Sequence, residues 1–198
     1  TLNNLRASGD KIIKIQAILS GSLNFIFNNF KKGLSFHDIV LKAEKEGFTE
    51  PDPKIDLSGI DVARKILILA RESGYNLELK SIENNSFLPK DCLKTKTKKD
   101  FYNSLKKNEL HFVKLLENAE NQNSRLKYIA QLEKGKASVG LQNINPDHDF
   151  YNLEGSDNII LFYTKRYNKQ PLIIKGAGAG AEVTAAGIFG DIIRTGKR

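Results

Sequence analysis

The apolar positions near the start of the chain predict a strand followed by a helix. KIIKIQAIL, residues 11–19, has the β-branched content that is typical of a strand. The SGS stretch at 20–22 then opens a helix through LNFIFNNFKK, which Gly33 ends. This strand, tight turn and helix start is similar to sites where backbone N–H groups bind an anion.

Two more helices are predicted on either side of a proline-rich segment. A capping signal at Ser35 begins the first of them, and Gly47 ends it. FTEPDPKID, residues 48–56, predicts an extended loop because its two prolines disfavour helix. In the helix SGIDVARKILILARES, residues 58–73, apolar side chains occupy almost the whole circumference. We therefore expect most of its surface to be buried.

The second half of the chain predicts mainly antiparallel strands and amphipathic helices. The expected elements are a strand at 77–87, one or two helices at 98–121, a hairpin over 125–142 turning at EKGK, and a hairpin formed by 158–164 and 171–175. Short connections between successive strands favour antiparallel pairing. The fold class predicted is α+β: a mixed, largely antiparallel sheet covered on one face by helices.

Composition indicates a cellular compartment and argues against membrane-spanning and disulfide-bonded proteins. The 198 residues suit one domain, and no apolar run reaches the roughly 18 residues of a membrane helix. The start, TLNNLRASGDK, has neither a signal sequence nor an initiator Met, which suggests a fragment of a longer protein. One cysteine, Cys92, permits no internal disulfide and favours a reducing, cytoplasmic location. No metal site and no membrane association are expected.

The formal charge of +8 raises the possibility of nucleic-acid binding. The densest basic cluster, residues 93–107, resembles a solvated loop and helix face, and no stacking-aromatic motif accompanies it. The distribution of charge therefore argues against a nucleic-acid partner.

The candidate chemistry is concentrated in GFTEPDPKIDLSGIDVARK. Asp61 and Lys65 lie one helical turn apart on one face. Glu50 and Asp56 precede them on the proline-stiffened segment. Together they suit a small zwitterionic substrate, with a carboxylate for its amino group and a lysine for a proton at the reacting oxygen. Two alternatives stay open: an S-x-x-D capping box from Ser58 to Asp61, and an ordinary i, i+4 ion pair.

KGAGAGAEVTAAG, residues 175–187, superficially matches a dinucleotide-binding fingerprint. Gly176, Gly178 and Ala181 satisfy G-x-G-x-x-G/A after an apolar strand. Residues 182–198 leave room for one helix, but not for the second strand and acidic residue of such a unit. We interpret it as a glycine-rich strand-to-helix turn.

Three segments of the chain resemble the homoserine dehydrogenase family. They are ILSGSLNFIF, GFTEPDPKIDLSGIDVARK and GAGAGAEVTAAGIFGDIIR, and they span nearly the whole chain in order. The resemblance implies NAD(P)H-dependent reduction of aspartate 4-semialdehyde to homoserine, on the pathway to threonine and methionine. The resemblance is also compatible with an origin in a bifunctional aspartate kinase–homoserine dehydrogenase.

The resemblance implies a role for each candidate residue. Asp61 and Lys65 match the family's aspartate and lysine of substrate binding and proton transfer. Glu50 matches the glutamate that holds the substrate's amino group, and Asp56 a further substrate contact. Gly21 and Ser22 match the positions at a helix start where a Gly-Thr or Gly-Ser pair of the family contacts the substrate. Gly178 and Gly180 would line the cofactor cleft.

The resemblance also implies a division of the chain. Residues 1–175 correspond to the catalytic and dimerisation domain, which forms a homodimer in the family. Residues 176–198 correspond to the turn and last helix that return toward the nucleotide-binding domain. That Rossmann domain, which binds most of the NAD(P)H, is absent from this chain, so we expect the isolated chain to be inactive.

Two positions depart from the family pattern. Phe48 stands where Tyr is common, and Ile55 where an acidic residue is frequent, so the site is less polar than is typical. An alternative function is a non-catalytic dimerisation or amino-acid-binding module that retains the fold.

Overall fold

Residues 1–196 of the chain are described by a computed structural model. The helices are α1 (Leu2–Ala7), α2 (Gly21–Asn29), α3 (Phe36–Lys45), α4 (Pro53–Leu57), α5 (Ile60–Glu72), α6 (Lys90–Lys94), α7 (Lys98–Lys107), α8 (Glu109–Asn121) and α9 (Ala181–Gly196). The strands are β1 (Ile12–Ile18), β2 (Glu83–Asn85), β3 (Arg125–Glu133), β4 (Lys136–Ile144), β5 (Asn158–Thr164) and β6 (Leu172–Gly176). Among these helices, none is long and apolar enough to cross a membrane.

The strands form one six-stranded mixed sheet in the order β2-β4-β3-β1-β5-β6. The pair β2–β4 is parallel and the other neighbours are antiparallel. Both predicted hairpins are confirmed, β3–β4 and β5–β6. The first turns through Lys134 and Gly135, with φ of 50° and 75°, the left-handed conformations that a tight two-residue hairpin turn requires.

The sheet separates two apolar clusters. Alternation along β1 places Ile15 and Ala17 in the larger cluster, with side chains of α2, α3 and α5. Ile18 belongs to the smaller cluster, with Phe150 and Leu153 from the segment between β4 and β5. Helices thus cover one face, as predicted, and each fully buried Ile or Leu stabilises the fold by roughly 1.5–3 kcal/mol.

The prediction of a loop throughout residues 48–56 is wrong at its end, where α4 begins at Pro53. Proline is compatible with the first helical position because the N–H it lacks would have no intrahelical partner there. Asp52 keeps the predicted extended conformation, and its side chain accepts a hydrogen bond from the Lys54 N–H at 3.1 Å.

The capping box from Ser58 to Asp61, which the sequence left open as an alternative, does not form. The residue that precedes α5 is Gly59, which has left-handed geometry and no side-chain cap. Ser58 Oγ instead accepts from the Ile60 N–H, at 3.3 Å.

The prediction that most of the surface of α5 is buried is confirmed only in part. One stripe of α5 is buried, but Ile68 is 60% exposed. The side chains of Asp61 and Lys65 are 50% and 43% exposed. Their charges therefore lie at a solvent-accessible surface of this chain, and not in a low-dielectric interior.

The prediction of a strand over residues 77–87 is largely wrong. A 3₁₀ turn occupies Leu79–Ser81, and only Glu83–Asn85 pairs as β2. Glu78 and Ser81 form a reciprocal capping box around that turn. Local side-chain-to-backbone hydrogen bonds of this kind compete with strand pairing. The prediction of helices over 98–121 is confirmed as α7 and α8.

Candidate active site

A cavity of about 410 Å³ opens where four parts of the fold meet. They are the start of α2, the segment from Gly47 to α5, the segment before β5, and the turn after β6. All the site residues predicted from the sequence line it: Gly21, Ser22, Glu50, Asp56, Asp61, Lys65, Gly178 and Gly180. These positions are far apart in sequence, so the tertiary fold brings them together.

Asp61 and Lys65 form the ion pair expected from their spacing. Asp61 Oδ2 and Lys65 Nζ lie 2.8 Å apart in the first turns of α5. Lys65 Nζ also donates a hydrogen bond to the backbone oxygen of Leu19, at 2.9 Å. This second bond joins α5 to the end of β1 and orients the ammonium group at the cavity wall.

Asp56 uses both carboxylate oxygens within the protein. Its Oδ1 accepts from the hydroxyl group of Ser22, and its Oδ2 from the backbone N–H of Glu50, each at 2.9 Å. Ser22 Oγ lies 2.9 Å from Ser20 Oγ, which caps α2 by accepting from the Leu23 N–H. Asp56 therefore ties the segment carrying Glu50 to the first turn of α2.

The carboxylate of Glu50 has no hydrogen bond or ion pair within residues 1–196. The residue is exposed, and it lines the cavity together with Asp56 and Asp61. Carboxylates thus outnumber the ammonium group of Lys65 around the cavity. A local excess of negative charge attracts a cationic group such as an amine.

Phe48 provides an apolar part of the cavity wall. Its ring stacks on Phe25, with centroids 4.2 Å apart and an interplanar angle of 21°. Such offset contacts stabilise an aromatic pair beyond the area they bury. The residue that departs from the family pattern is thereby held in a defined position beside the polar groups.

The glycine-rich segment is a strand-to-helix turn, as interpreted from the sequence, and it joins β6 to α9. A Cβ on Gly178 would lie 1.9 Å from Asn158 Nδ2, so any side chain there would displace the Asn158 amide. Gly180 has φ of +125°, and no atom lies within 4 Å of the position of a Cβ. The turn therefore presents bare backbone to the cavity and leaves open space beside it.

The sequence analysis missed two side chains in the cavity wall. Ser156 lies in the segment before β5, and Asn158 is the first residue of that strand. A Cβ on Gly21 would lie 2.9 Å from the backbone oxygen of Ser156, so this segment packs directly on the start of α2. No periodicity or motif in the sequence marks these residues, because the contact joins positions remote along the chain.

The comparisons with known proteins point to one family. The family model described as homoserine dehydrogenase matches residues 1–193. The chain is 49% identical over 197 residues to the maize protein named bifunctional aspartokinase/homoserine dehydrogenase 1, chloroplastic. The matched region covers 98% of this chain and 21% of that protein. The chain is 43% identical over 202 residues to the Schizosaccharomyces pombe homoserine dehydrogenase, covering 98% of this chain and 54% of that one.

A solved structure supports the same architecture. A Candida auris protein of unknown function is 41% identical and superposes with a TM-score of 0.93, covering 100% of this chain and 57% of that one. The chain therefore spans about half the length of these two fungal proteins and about a fifth of the maize relative.

Proposed function

This chain belongs to the homoserine dehydrogenase family, and on that premise we propose that it is the catalytic and dimerisation domain of such an enzyme. The reaction is the NAD(P)H-dependent reduction of aspartate 4-semialdehyde to homoserine, which serves threonine and methionine synthesis. The observation that carries the proposal is the convergence of Glu50, Asp56, Asp61 and Lys65 on one cavity beside the glycine-rich turn.

Glu50 binds the amino group of the substrate. Its carboxylate is free of partners in the described part of the chain, and it lies on the segment that Asp56 holds against α2. Asp56 thus acts mainly by positioning Glu50 and the Ser22 hydroxyl, because both of its oxygens already accept hydrogen bonds. Fixing the amino acid in this way lowers the barrier by pre-ordering the reacting groups.

Lys65, oriented by Asp61, transfers the proton to and from the reacting oxygen of the substrate. During reduction the Lys65 ammonium group gives its proton to the aldehyde oxygen as the C–H bond forms. During oxidation the neutral amine removes the hydroxyl proton. Asp61, 2.8 Å away, keeps the lysine oriented toward the substrate.

A nicotinamide cofactor fits the open side of this cavity, where Gly178 and Gly180 would line its cleft. The bare backbone at Gly178 and the open space beside Gly180 leave room for a flat group. The bound cofactor supplies or accepts the hydride. We propose NADP(H) as well as NAD(H) as cofactors, held mainly by a nucleotide-binding domain outside residues 1–198.

The proposed domain division places the catalytic and dimerisation part at 1–175 and the returning turn and helix at 176–198. In α9, Ile188, Phe189 and Ile192 are 59%, 64% and 60% exposed within this chain. An apolar helix face of this kind is typical of a surface that packs on another domain. We further propose a homodimer in the cytoplasm.

The test is homoserine oxidation, followed as NAD(P)H absorbance, by the full-length protein and by residues 1–198 alone. We expect activity only from the full-length protein. Lys65→Ala should reduce kcat/KM by roughly a hundredfold or more, as expected for a positioned proton-transfer group. Arg64→Ala is the matched control, because Arg64 is an exposed neighbour on α5 that does not line the cavity.

The competing function is a non-catalytic dimerisation or amino-acid-binding module. It predicts no turnover by either protein even though both are folded and dimeric. An unchanged kcat/KM in Lys65→Ala would also contradict the proposed proton transfer.

A further inference from the structure

Lys127 is a buried lysine that the proposed chemistry does not use. It lies on β3 and is 1% exposed. Its ammonium group donates to Asn24 Oδ1 at 3.2 Å, to Asn28 Oδ1 at 2.6 Å, and to the backbone oxygen of Leu153. An ammonium group has three N–H donors, so all three are satisfied by uncharged oxygens.

The two asparagines extend these contacts to the segment before β5. Asn24 Nδ2 donates to the backbone oxygens of Gly155 and Asp157, each at 3.2 Å. Asn28 Nδ2 donates to Gly155 at 3.0 Å. Lys127, Asn24 and Asn28 therefore link α2 to three backbone carbonyls of residues 153–157.

That segment forms one wall of the candidate active site. Ser156 and Asn158 line the cavity. The backbone oxygen of Ser156 packs on Gly21, and the Asn158 amide packs on Gly178. A shift of residues 153–157 would therefore change the cavity on both its α2 side and its glycine-rich side.

We propose that Lys127 is a positioning residue for the active site, which acts by holding the Ser156–Asn158 wall against the start of α2. The inference rests on the proposed function and extends it to a residue that lines no part of the cavity. A buried charge without a carboxylate partner costs stability, and here its contacts with neutral oxygens join α2 to residues 153–157. An apolar side chain of the same length would pack there without joining the helix to the segment.

The main test compares Lys127→Met with wild type in the full-length protein. We expect KM for homoserine to rise about tenfold, the effect of one lost positioning interaction, while kcat changes less than threefold. The reason is that Asp61 and Lys65 lie on α5, outside the network. Lys136→Met is the matched control, because Lys136 is exposed on the neighbouring strand.

A second readout does not depend on activity. Amide hydrogen exchange at Leu153, whose buried N–H donates to the Phe150 oxygen at 3.2 Å and whose own carbonyl accepts from Lys127, should be faster in Lys127→Met than in Leu105→Ala, which removes buried apolar contacts outside the cavity wall. Should Lys127→Met fail to fold, Asn28→Ala removes two of the same hydrogen bonds at a half-buried position.

The outcomes separate the two proposals. An unchanged KM together with unchanged exchange at Leu153 overturns the positioning role. Equal losses in Lys127→Met and Leu105→Ala overturn it too, since they would reflect general destabilisation. If wild type oxidises no homoserine but exchange at Leu153 still accelerates in Lys127→Met, Lys127 does hold residues 153–157 in place, and it is the enzymatic function that fails.

Discussion

The hydroxyl group of Tyr128 occupies the space that a side chain on Gly59 would need. A Cβ at that glycine would lie 1.8 Å from Tyr128 Oη. Tyr128 is 1% exposed and donates to Asn84 Oδ1 at 3.2 Å, while Asn84 Nδ2 donates to the backbone oxygen of Ser58 at 2.9 Å. These contacts fix the junction of α4 and α5, from which Asp56 and Asp61 project into the cavity.

Gly59→Ala should therefore destabilise the protein by more than about 2 kcal/mol, since a left-handed conformation at φ 73° and a clash with a buried side chain add together. Urea unfolding measures the loss. Gly33→Ala is the matched control, with φ 86° and no atom within 4 Å of the new Cβ. Gly33→Ala should lower the free energy of unfolding only by the cost of a left-handed backbone at alanine, about 1 kcal/mol. Equal losses in the two variants would contradict a role for Tyr128.

Asp56→Asn should weaken the site without unfolding it. An amide can accept from only one of the two donors, Ser22 Oγ and the Glu50 N–H, and it turns its own N–H₂ toward the other. We expect a stability loss of about 1 kcal/mol and a severalfold rise in KM for homoserine. Steady-state kinetics and urea unfolding measure these effects.

Asp52→Asn provides the matched control for that change. Asp52 caps α4 through a single accepted hydrogen bond, and asparagine caps helices as well as aspartate does. Stability and KM should both stay near the wild-type values. If the KM of Asp56→Asn equals that of Asp52→Asn, Asp56 has no role in substrate binding.

Gly178→Ala should disturb the contact between the glycine-rich turn and β5. The new methyl group would displace the Asn158 amide, and with it the cavity wall. We expect KM for the nicotinamide cofactor to rise about tenfold in the full-length enzyme, because a small misplacement of a binding group is costly. Gly33→Ala, at a position that does not line the cavity and has no atom within 4 Å of the new Cβ, should leave KM unchanged. A normal KM in Gly178→Ala would contradict the assignment of this turn to the cofactor cleft.

Stability should rise with pH through the titration of Lys127. Burial, and secondarily the charge of Arg125, lowers the pKa of Lys127 to about 8 from 10.5, and Glu154 opposes this shift. Between those two pH values the native state releases a proton that the unfolded chain still holds, so raising the pH favours the native state. The difference in unfolding free energy, wild type minus Lys127→Met, should increase by about 2 kcal/mol from pH 7.5 to pH 10. A constant difference would show that Lys127 is not desolvated.

Several features follow from local sequence alone. The hairpin turning at EKGK, the strand over 11–19 and the helices over 98–121 were all predicted, because turn chemistry and periodicity are properties of neighbouring residues. The Asp61–Lys65 pair has the same origin, since an i, i+4 spacing on a helix places two side chains together regardless of the rest of the fold. The start of α4 at Pro53 was missed because the proline was interpreted as a helix breaker, although the first helical turn accepts it.

The amino-acid sequence by itself determined the helices and strands with strong periodicity, the class of the fold, and the set of polar residues suited to an amino-acid substrate. The tertiary structure alone decided that Asp56 links Ser22 to Glu50, that Ser156 and Asn158 line the same cavity, and that Lys127 is buried. The physical reason is range. Backbone propensity and helical spacing act over a few residues, whereas the contacts around the site include one between Asn24 and Asp157, which are 133 residues apart. Only the packing of the sheet and its helices brings such segments together.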